Sequence, residues 1–318
     1  MQSVIIGTGS YLPQKLVTNF DLTKTVDTSD EWIVERTGIK QRYIAADNEF
    51  TSDIGKHAAL AALENAKISA AEIDMIVLAT TTPDLTFPAT ATTIQAKIGA
   101  QKAFAFDVQA VCSGFVYALS VADNFIKSGQ VKNALVIGAD ILSRIVDWKD
   151  RNTCVLFGDG AGAVVIKAEE QKQRGIIATD LQSDGNLNSI LKTSGGPAFN
   201  QQSGYIEMQG KEVFKNAVEK MSQSVLNALK KSNLSVADID LLVPHQANAR
   251  ILNAVATRLG INTDKVAITV QDHANTSAAS IPLALDLYNK KGKIKIGDLI
   301  VLEALGGGLT WGSIILRW

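Results

Sequence analysis

Three residues of this sequence, Cys112, His245 and Asn275, are of the types that together perform thioester chemistry. A cysteine thiolate is a strong nucleophile, and the N-terminus of a helix stabilises its charge. A nearby histidine can hold or take a proton, and an asparagine amide can donate a hydrogen bond to a developing oxyanion. Each residue alone has a plain structural explanation, since free cysteines are among the most buried residue types. The three predict nucleophilic catalysis only if the fold brings them together.

An internal duplication is the reason to expect that they meet. Residues 62–80 resemble residues 228–246, because each segment reads as a helix end, a short turn, an acidic pair around isoleucine and an apolar strand. Two further matches follow in the same order: 126–140 with 289–304, and 157–167 with 306–318. Repeated segments in one order are the signature of a repeat architecture. The sequence therefore predicts two related halves, residues 1–170 and residues 171–318.

Each half alternates helical periodicity with short apolar strands. In the first half the pattern predicts strands near 3–8, 75–80, 103–108, 134–139 and 161–167. It predicts helices near 52–66, 88–98 and 112–128. Strands separated by helices are typical of mainly parallel sheets that helices cover. We therefore expect an α/β protein with mainly parallel sheets.

The duplication places the candidate residues at corresponding edges of the predicted sheets. Cys112 and Asn275 correspond to each other, each after an apolar strand and before a helix rich in small residues. His245 directly follows the strand of another repeat match. In an open parallel sheet, ligands bind at the carboxyl ends of the strands. A pseudo-two-fold axis between the halves would bring all three residues to one site.

Composition narrows the class of protein. The 318 residues carry a formal net charge of −1, which gives no global attraction to nucleic acid. Two cysteines, Cys112 and Cys154, are too few for a disulfide framework or a thiolate zinc site, and they suit a reducing compartment. The start, MQSVIIGTGSYLP, lacks the pattern of a signal peptide, and no apolar run approaches the ~18 residues of a membrane span. We expect a cytoplasmic protein without nucleic-acid or membrane partners.

Several segments resemble one enzyme family. The segments VCSGF, VPHQANAR, HANTSAAS and EALGGGLTWG are similar to the signature segments of β-ketoacyl-acyl carrier protein synthase III. This family of condensing enzymes starts type II fatty acid synthesis. The resemblance continues nearly end to end through GTGSYLP, TNFDL, VDTSDEWIVERTGI, TFPAT, YALSVAD and FGDGAGAVV. It implies a thiolase-like fold, which is a duplicated five-layer α/β/α/β/α arrangement.

The resemblance also implies a mechanism. Cys112 would take an acyl group from acyl-CoA, with acetyl-CoA as the expected donor. His245 and Asn275 would then stabilise the enolate that forms when malonyl-acyl carrier protein loses carbon dioxide. Backbone N–H groups of Cys112 and Gly307 would hold the tetrahedral oxyanion. No metal and no cofactor are expected, because decarboxylation supplies the driving force.

Substrate and partner contacts are implied in the same way. The expected CoA-binding residues are Thr28, Trp32, Arg36, Thr37, Arg151, Met208, Gly210, Phe214, Ala247 and Asn248. The expected acyl pocket consists of Leu142, Phe157 and Leu305, closed by Phe87 from the other subunit of a homodimer. The expected docking residues for an acidic acyl carrier protein are Gln246, Ala247, Asn248, Ala249, Arg250 and Lys215.

Three departures from the family pattern leave the acyl-chain preference open. Leu305 stands where an aromatic residue is frequent, Ala274 where glycine is common, and Val111 where alanine is usual. One alternative is therefore a condensing enzyme of the same fold for longer or branched acyl-CoA. A second alternative, from a different class, is a thioester hydrolase that uses Cys112, His245 and Asn275.

Overall fold

The computed structural model describes residues 1–170 and 173–318. Its strands are β1 (Gln2–Tyr11), β2 (Lys15–Thr18), β3 (Gln41–Ile44), β4 (Met75–Ala79), β5 (Phe104–Val108), β6 (Asn133–Ile141), β7 (Asp159–Glu169), β8 (Gly175–Ser183), β9 (Leu191–Thr193), β10 (Ile206–Met208), β11 (Leu241–Pro244), β12 (Leu299–Gly306) and β13 (Thr310–Arg317). Its helices are α1 (Asn19–Leu22), α2 (Asp30–Thr37), α3 (Thr51–Ala66), α4 (Thr90–Ile98), α5 (Gly114–Lys127), α6 (Gly210–Lys231), α7 (Ala249–Leu259), α8 (Val270–His273) and α9 (Ser280–Lys290).

The predicted strands and helices of the first half are confirmed to within two residues at nearly every boundary. The fourth helix begins at Thr90 because the Asp107 carboxylate accepts hydrogen bonds from the N–H groups of Thr90 and Ala91. A carboxylate at a helix N-terminus satisfies free N–H groups and complements the helix dipole. This boundary therefore depends on a residue of the next strand.

Two sheets form the frame of the molecule. The first has the strand order β1-β7-β6-β4-β5, and the second has the order β11-β12-β13-β8. The first sheet takes its strands from residues 2–169, and the second from residues 175–317. The predicted boundary between the halves adjoins residues 171–172, which lie outside the described residues. The division into two halves at that point stays a prediction.

The expectation of mainly parallel sheets is wrong. In the first sheet β4 runs parallel to β5 and β6, but β7 runs antiparallel to both β1 and β6. In the second sheet only β11 and β12 are parallel, while β13 is antiparallel to β12 and β8. The physical reason lies in the connections. A short turn joins β12 to β13, and such a turn cannot return the chain for a parallel pairing.

Helices and sheets stack in five layers, as expected. Helices α5 and α9 lie between the sheets, where Phe115 and Ile281 share one apolar cluster with strands of both. Helices α3 and α4 pack on the outer face of the first sheet. Helices α6 and α7 pack on the outer face of the second. Both faces of each sheet are therefore buried, which explains why the strands read as continuous apolar runs.

The starts of the two central helices, α5 and α9, approach each other closely. A Cβ atom added at Gly138 on β6 would overlap the carbonyl oxygen of Ala278, just before α9. A Cβ atom added at Gly114, the first residue of α5, would contact Ala278 at 3.5 Å. Glycine permits such close backbone approach. The starts of α5 and α9 are therefore held side by side.

Among the described residues, no helix combines the length and the apolar character that a bilayer crossing requires.

Candidate active site

Cys112, His245 and Asn275 all line one cavity of about 1040 Å³. Cys112 is 7% exposed, His245 2% and Asn275 7%. The same cavity is lined by Arg36 and Arg250, whose side chains are exposed at the protein surface. The cavity therefore leads from the surface to three buried polar side chains.

Cys112 lies in a 3₁₀ turn, Val111–Ser113, immediately before α5. Val111 has a φ of 48°, which is unusual for a β-branched residue. The turn packs against the end of β12, where a Cβ atom at Gly306 would lie 2.7 Å from the backbone nitrogen of Cys112. Burial raises the pKa of the Cys112 thiol to about 12. The resting side chain is therefore a thiol.

His245 follows β11 and is tied to β12 by its backbone N–H, which donates to the Glu303 carbonyl oxygen at 2.7 Å. Its ring nitrogen Nδ1 lies 2.7 Å from the Ser280 hydroxyl oxygen. Burial lowers the pKa of His245 to about 3, because a charged imidazolium loses its hydration there. His245 is therefore neutral at physiological pH and offers a hydrogen bond rather than a charge.

Asn275 is oriented by its own backbone and side chain. Its N–H donates to Leu156 O, and its carbonyl accepts from the Gly158 N–H, both at 3.0 Å. Its side-chain oxygen Oδ1 accepts from the Ser277 N–H at 2.9 Å. With Oδ1 engaged, the amide nitrogen Nδ2 is the atom left to donate a hydrogen bond into the cavity.

This arrangement agrees with a family relationship over the whole chain. Family models for 3-oxoacyl-[acyl-carrier-protein] synthase III match residues 106–185 and, for its C-terminal part, residues 229–318. The curated β-ketoacyl-[acyl-carrier-protein] synthase III of Ehrlichia canis (strain Jake) is 59% identical over 316 residues, covering 99% of each chain. The chain belongs to the 3-oxoacyl-[acyl-carrier-protein] synthase III family. It is therefore an acyltransferase of the condensing type.

Two further relatives agree. The β-ketoacyl-[acyl-carrier-protein] synthase III of Rhodospirillum centenum is 58% identical over 321 residues, covering 100% of this chain and 99% of the relative. The crystal structure of 3-oxoacyl-[acyl-carrier-protein] synthase III from Aquifex aeolicus VF5 superposes with a TM-score of 0.95 at 51% identity. It covers 99% of this chain and 100% of that one. The thiolase-like fold expected from the sequence is confirmed.

Most of the residues predicted to contact substrate line the same cavity. Besides the three central residues, these are Trp32, Arg36, Thr37, Met208, Gly210, Phe214, Ala247, Asn248, Arg250, Leu142, Phe157, Leu305 and Gly307. Six predicted residues do not line it: Thr28, Arg151, Phe87, Gln246, Ala249 and Lys215. Of these, Arg151 still lies beside the cavity, with its Cζ 5.2 Å from the ring centroid of Trp32. Arg36 lies over the same ring at 4.5 Å.

The prediction that Gln246 docks the carrier protein is wrong for its side chain. That side chain is fully buried and cannot contact a carrier protein. Its Nε2 donates to the carbonyl oxygens of Pro244 and Ala267. Its Oε1 accepts from the N–H groups of Thr269 and Val270. Gln246 therefore anchors the loop that carries His245. Its burial depends on hydrogen-bond partners that are distant in the chain, and the local sequence does not reveal them.

Other residues near the site were not singled out from the sequence. The buried Asp140 carboxylate accepts from the N–H groups of Thr81 at 2.7 Å and Ala278 at 3.3 Å, so it links the loop after β4 to the 3₁₀ turn before α9. Apolar walls come from Val213, Ala217 and Met221, which recur every four residues along α6. That spacing is a sequence signal for one buried helix face. It does not indicate that the face borders a cavity.

Ala274 has a backbone conformation, φ 59° and ψ −164°, that is essentially restricted to glycine. We expect Ala274→Gly to leave the free energy of unfolding within about 1 kcal/mol of wild type. Relief of backbone strain, ~1–3 kcal/mol, offsets the lost methyl contact and the added backbone entropy.

The matched control is Ala58→Gly in α3, which is equally buried but helical. It should cost roughly 2 kcal/mol, because no strain is relieved. Urea unfolding of both variants measures the difference. Equal destabilisation at the two positions would show that Ala274 is unstrained.

Proposed function

We propose that this chain condenses acyl-CoA with malonyl-acyl carrier protein to give 3-ketoacyl-acyl carrier protein, CoA and carbon dioxide, and so initiates fatty acid synthesis. The supporting observation is that a buried cysteine, a neutral histidine and an asparagine amide line a single cavity that reaches the surface. Membership of the synthase III family supports the same reaction.

In the first half-reaction, Cys112 Sγ forms a thioester with the acyl carbonyl carbon as the carbon–sulfur bond to CoA breaks. The proton of the Cys112 thiol ends on the released CoA thiol. The N–H groups of Cys112 and Gly307 would hold the oxyanion. The contact between Gly306 and the Cys112 backbone supports this role, because it brings the two segments together.

In the second half-reaction, malonyl-acyl carrier protein replaces CoA in the cavity. His245 and Asn275 donate hydrogen bonds to its thioester carbonyl oxygen, where negative charge develops as carbon dioxide leaves. The enolate carbon forms a bond to the acyl carbonyl on Cys112. The bond to Sγ then breaks, and the Cys112 thiolate takes up a proton from solvent.

We propose no resident cofactor or metal for this reaction, since the loss of carbon dioxide drives carbon–carbon bond formation. Among the described residues, no group of three or more His, Cys, Asp or Glu side chains is arranged to hold a metal ion. We further propose that the chain acts in the cytoplasm as a homodimer. Phe87, 82% exposed, would reach into the partner's acyl pocket beside Leu142 and Phe157.

The test is a condensation assay with labelled acetyl-CoA and malonyl-acyl carrier protein, extended to a series of longer and branched acyl-CoA donors. Labelled 3-ketoacyl-acyl carrier protein from acetyl-CoA is the expected product. Product from only the longer or branched donors would favour the alternative condensing specificity, with Leu305 as one cavity wall. Thioester hydrolysis without carbon–carbon bond formation would contradict the proposal and favour the hydrolase.

Carrier docking predicts a charge effect at Lys215, which is exposed on α6 four residues after Lys211 at the cavity. We expect Lys215→Glu to raise the KM for malonyl-acyl carrier protein roughly 3- to 10-fold at low salt, because rim charges steer an acidic partner. Acyl transfer from acyl-CoA should not change.

The control is Lys230→Glu, the same charge reversal on the same helix about 22 Å away. Its KM should stay at the wild-type value. Steady-state kinetics at two salt concentrations make the comparison. Equal effects of the two variants would place the docking surface elsewhere.

A further inference from the structure

Ser280, the first residue of α9, contacts the imidazole ring of His245 from outside the lining of the cavity. Ser280 is 2% exposed and does not line the cavity, yet its Oγ lies 2.7 Å from His245 Nδ1. Ser280 therefore does not contact a molecule bound in the cavity, whereas His245 lines it. A hydroxyl in this place can act only through the imidazole.

The hydrogen bonds around Ser280 determine where the imidazole proton resides. The Gln246 N–H donates to Ser280 Oγ at 3.2 Å, and an N–H group can only donate. If His245 Nδ1 also donated to Oγ, the Ser280 hydroxyl proton would need another acceptor. Within the described residues, Ser280 Oγ has no hydrogen-bond partner besides these two. The arrangement that satisfies every group has the hydroxyl donating to Nδ1.

A neutral imidazole that accepts at Nδ1 carries its proton on Nε2. Nε2 is the nitrogen left to face the cavity, since Nδ1 faces Ser280. The opposite tautomer would present a lone pair to the substrate carbonyl oxygen and repel it. Burial keeps His245 neutral, so a second proton does not replace the missing donor. The identity of the tautomer therefore decides whether His245 can stabilise an enolate.

The donor to Ser280 is itself held in place. Gln246 makes four side-chain hydrogen bonds to surrounding backbone groups, so its own N–H keeps a fixed direction toward Ser280 Oγ. A satisfied buried network of this kind is rigid. The Gln246 N–H donates to Ser280 Oγ, so this oxygen is the acceptor in that hydrogen bond. The Ser280 hydroxyl proton is then free to be donated to His245 Nδ1.

We propose that Ser280 is a positioning residue that holds His245 as the Nε2–H tautomer for the condensation half-reaction. This inference deepens the proposed function and rests on it, because the tautomer matters only if His245 donates to the malonyl thioester. The acyl-transfer half-reaction, which uses Cys112, is independent of Ser280.

The first experiment is ¹⁵N nuclear magnetic resonance of the histidine rings in the full-length resting protein. The Nε2–H tautomer is expected for His245 in wild type and in Ser280→Thr, which keeps a hydroxyl. A mixture or the Nδ1–H tautomer is expected in Ser280→Ala. The Nδ1–H tautomer in wild type would overturn the proposal even if Ser280→Ala does not fold, and independently of whether the chain condenses anything.

The second experiment separates the half-reactions by single-turnover kinetics. Ser280→Ala is expected to slow condensation roughly 10- to 100-fold, with acyl transfer from acyl-CoA within about threefold of wild type. Ser280→Thr should recover most of the lost rate. Ser222→Ala, which removes another buried helix hydroxyl away from His245, should leave both rates unchanged.

Two kinetic outcomes contradict the positioning role. Condensation by Ser280→Ala at the wild-type rate would show that the tautomer does not depend on the hydroxyl. Equal losses in both half-reactions, with a lower unfolding midpoint, would show a purely structural role. Failure of wild type to form a 3-ketoacyl product would instead contradict the proposed function, while the resonance experiment still tests the tautomer.

Discussion

Cys112→Ala is expected to abolish the covalent acyl-enzyme and to lower 3-ketoacyl product formation at least about 10³-fold. Among the described residues, Cys112 is the only cysteine that lines the cavity, so no second thiol can accept the acyl group there. Mass spectrometry after incubation with acetyl-CoA measures acylation, and the labelled-product assay measures condensation.

The same variant should still release carbon dioxide slowly from malonyl-acyl carrier protein. His245 and Asn275 are unchanged in it, and the hydrogen bonds proposed from them to the malonyl thioester do not require an acyl group on Cys112. Loss of decarboxylation together with acylation would indicate that the variant is misfolded or that the two steps share more residues than proposed.

Cys154→Ser is the matched control for the cysteine. Cys154 is fully buried, lies outside the cavity lining and belongs to an apolar cluster with Leu142 and Phe157. Its acylation and condensation rates should stay within about threefold of wild type. If Cys112→Ala were acylated at the wild-type level and Cys154→Ser were not acylated, Cys154 would be the nucleophile instead of Cys112.

His245→Ala is expected to slow condensation roughly 10²- to 10³-fold while acyl transfer from acyl-CoA to Cys112 continues. In the proposed mechanism the neutral imidazole donates to an oxygen that becomes charged only in the condensation half-reaction, so removal of the imidazole should slow only that step. Single-turnover measurements of CoA release and of 3-ketoacyl product separate the two rates.

His57→Ala is the matched control for the histidine. His57 is exposed on α3, where it stacks on Tyr11 with ring centroids 4.7 Å apart, and it does not line the cavity. Both half-reactions should keep their wild-type rates. An equal loss of acyl transfer and condensation in His245→Ala would instead make His245 a base for Cys112.

Periodicity predicted the strands and helices of the first half but not the direction of every strand. Strand β7 is buried on both faces, and its apolar run, residues 160–166, reads like a parallel strand. Its antiparallel pairing with β6 follows from the irregular connection between them, residues 142–158, which contains no crossover helix. Burial leaves an apolar pattern in the sequence. The direction in which two strands pair depends instead on the path of the segment that joins them, and that path leaves no such pattern.

Sequence by itself grouped Cys112, His245 and Asn275 into one candidate site, because their residue types, repeat positions and flanking segments can all be read along the chain. Tertiary structure decided what each atom can do. Gln246 is buried because acceptors and donors from Ala267, Thr269 and Val270 surround it. Ser280 can hold the imidazole proton because α9 packs against β11, which places Ser280 Oγ 2.7 Å from His245 Nδ1. Hydrogen bonds require contact within about 3 Å, and only packing between distant segments sets such distances.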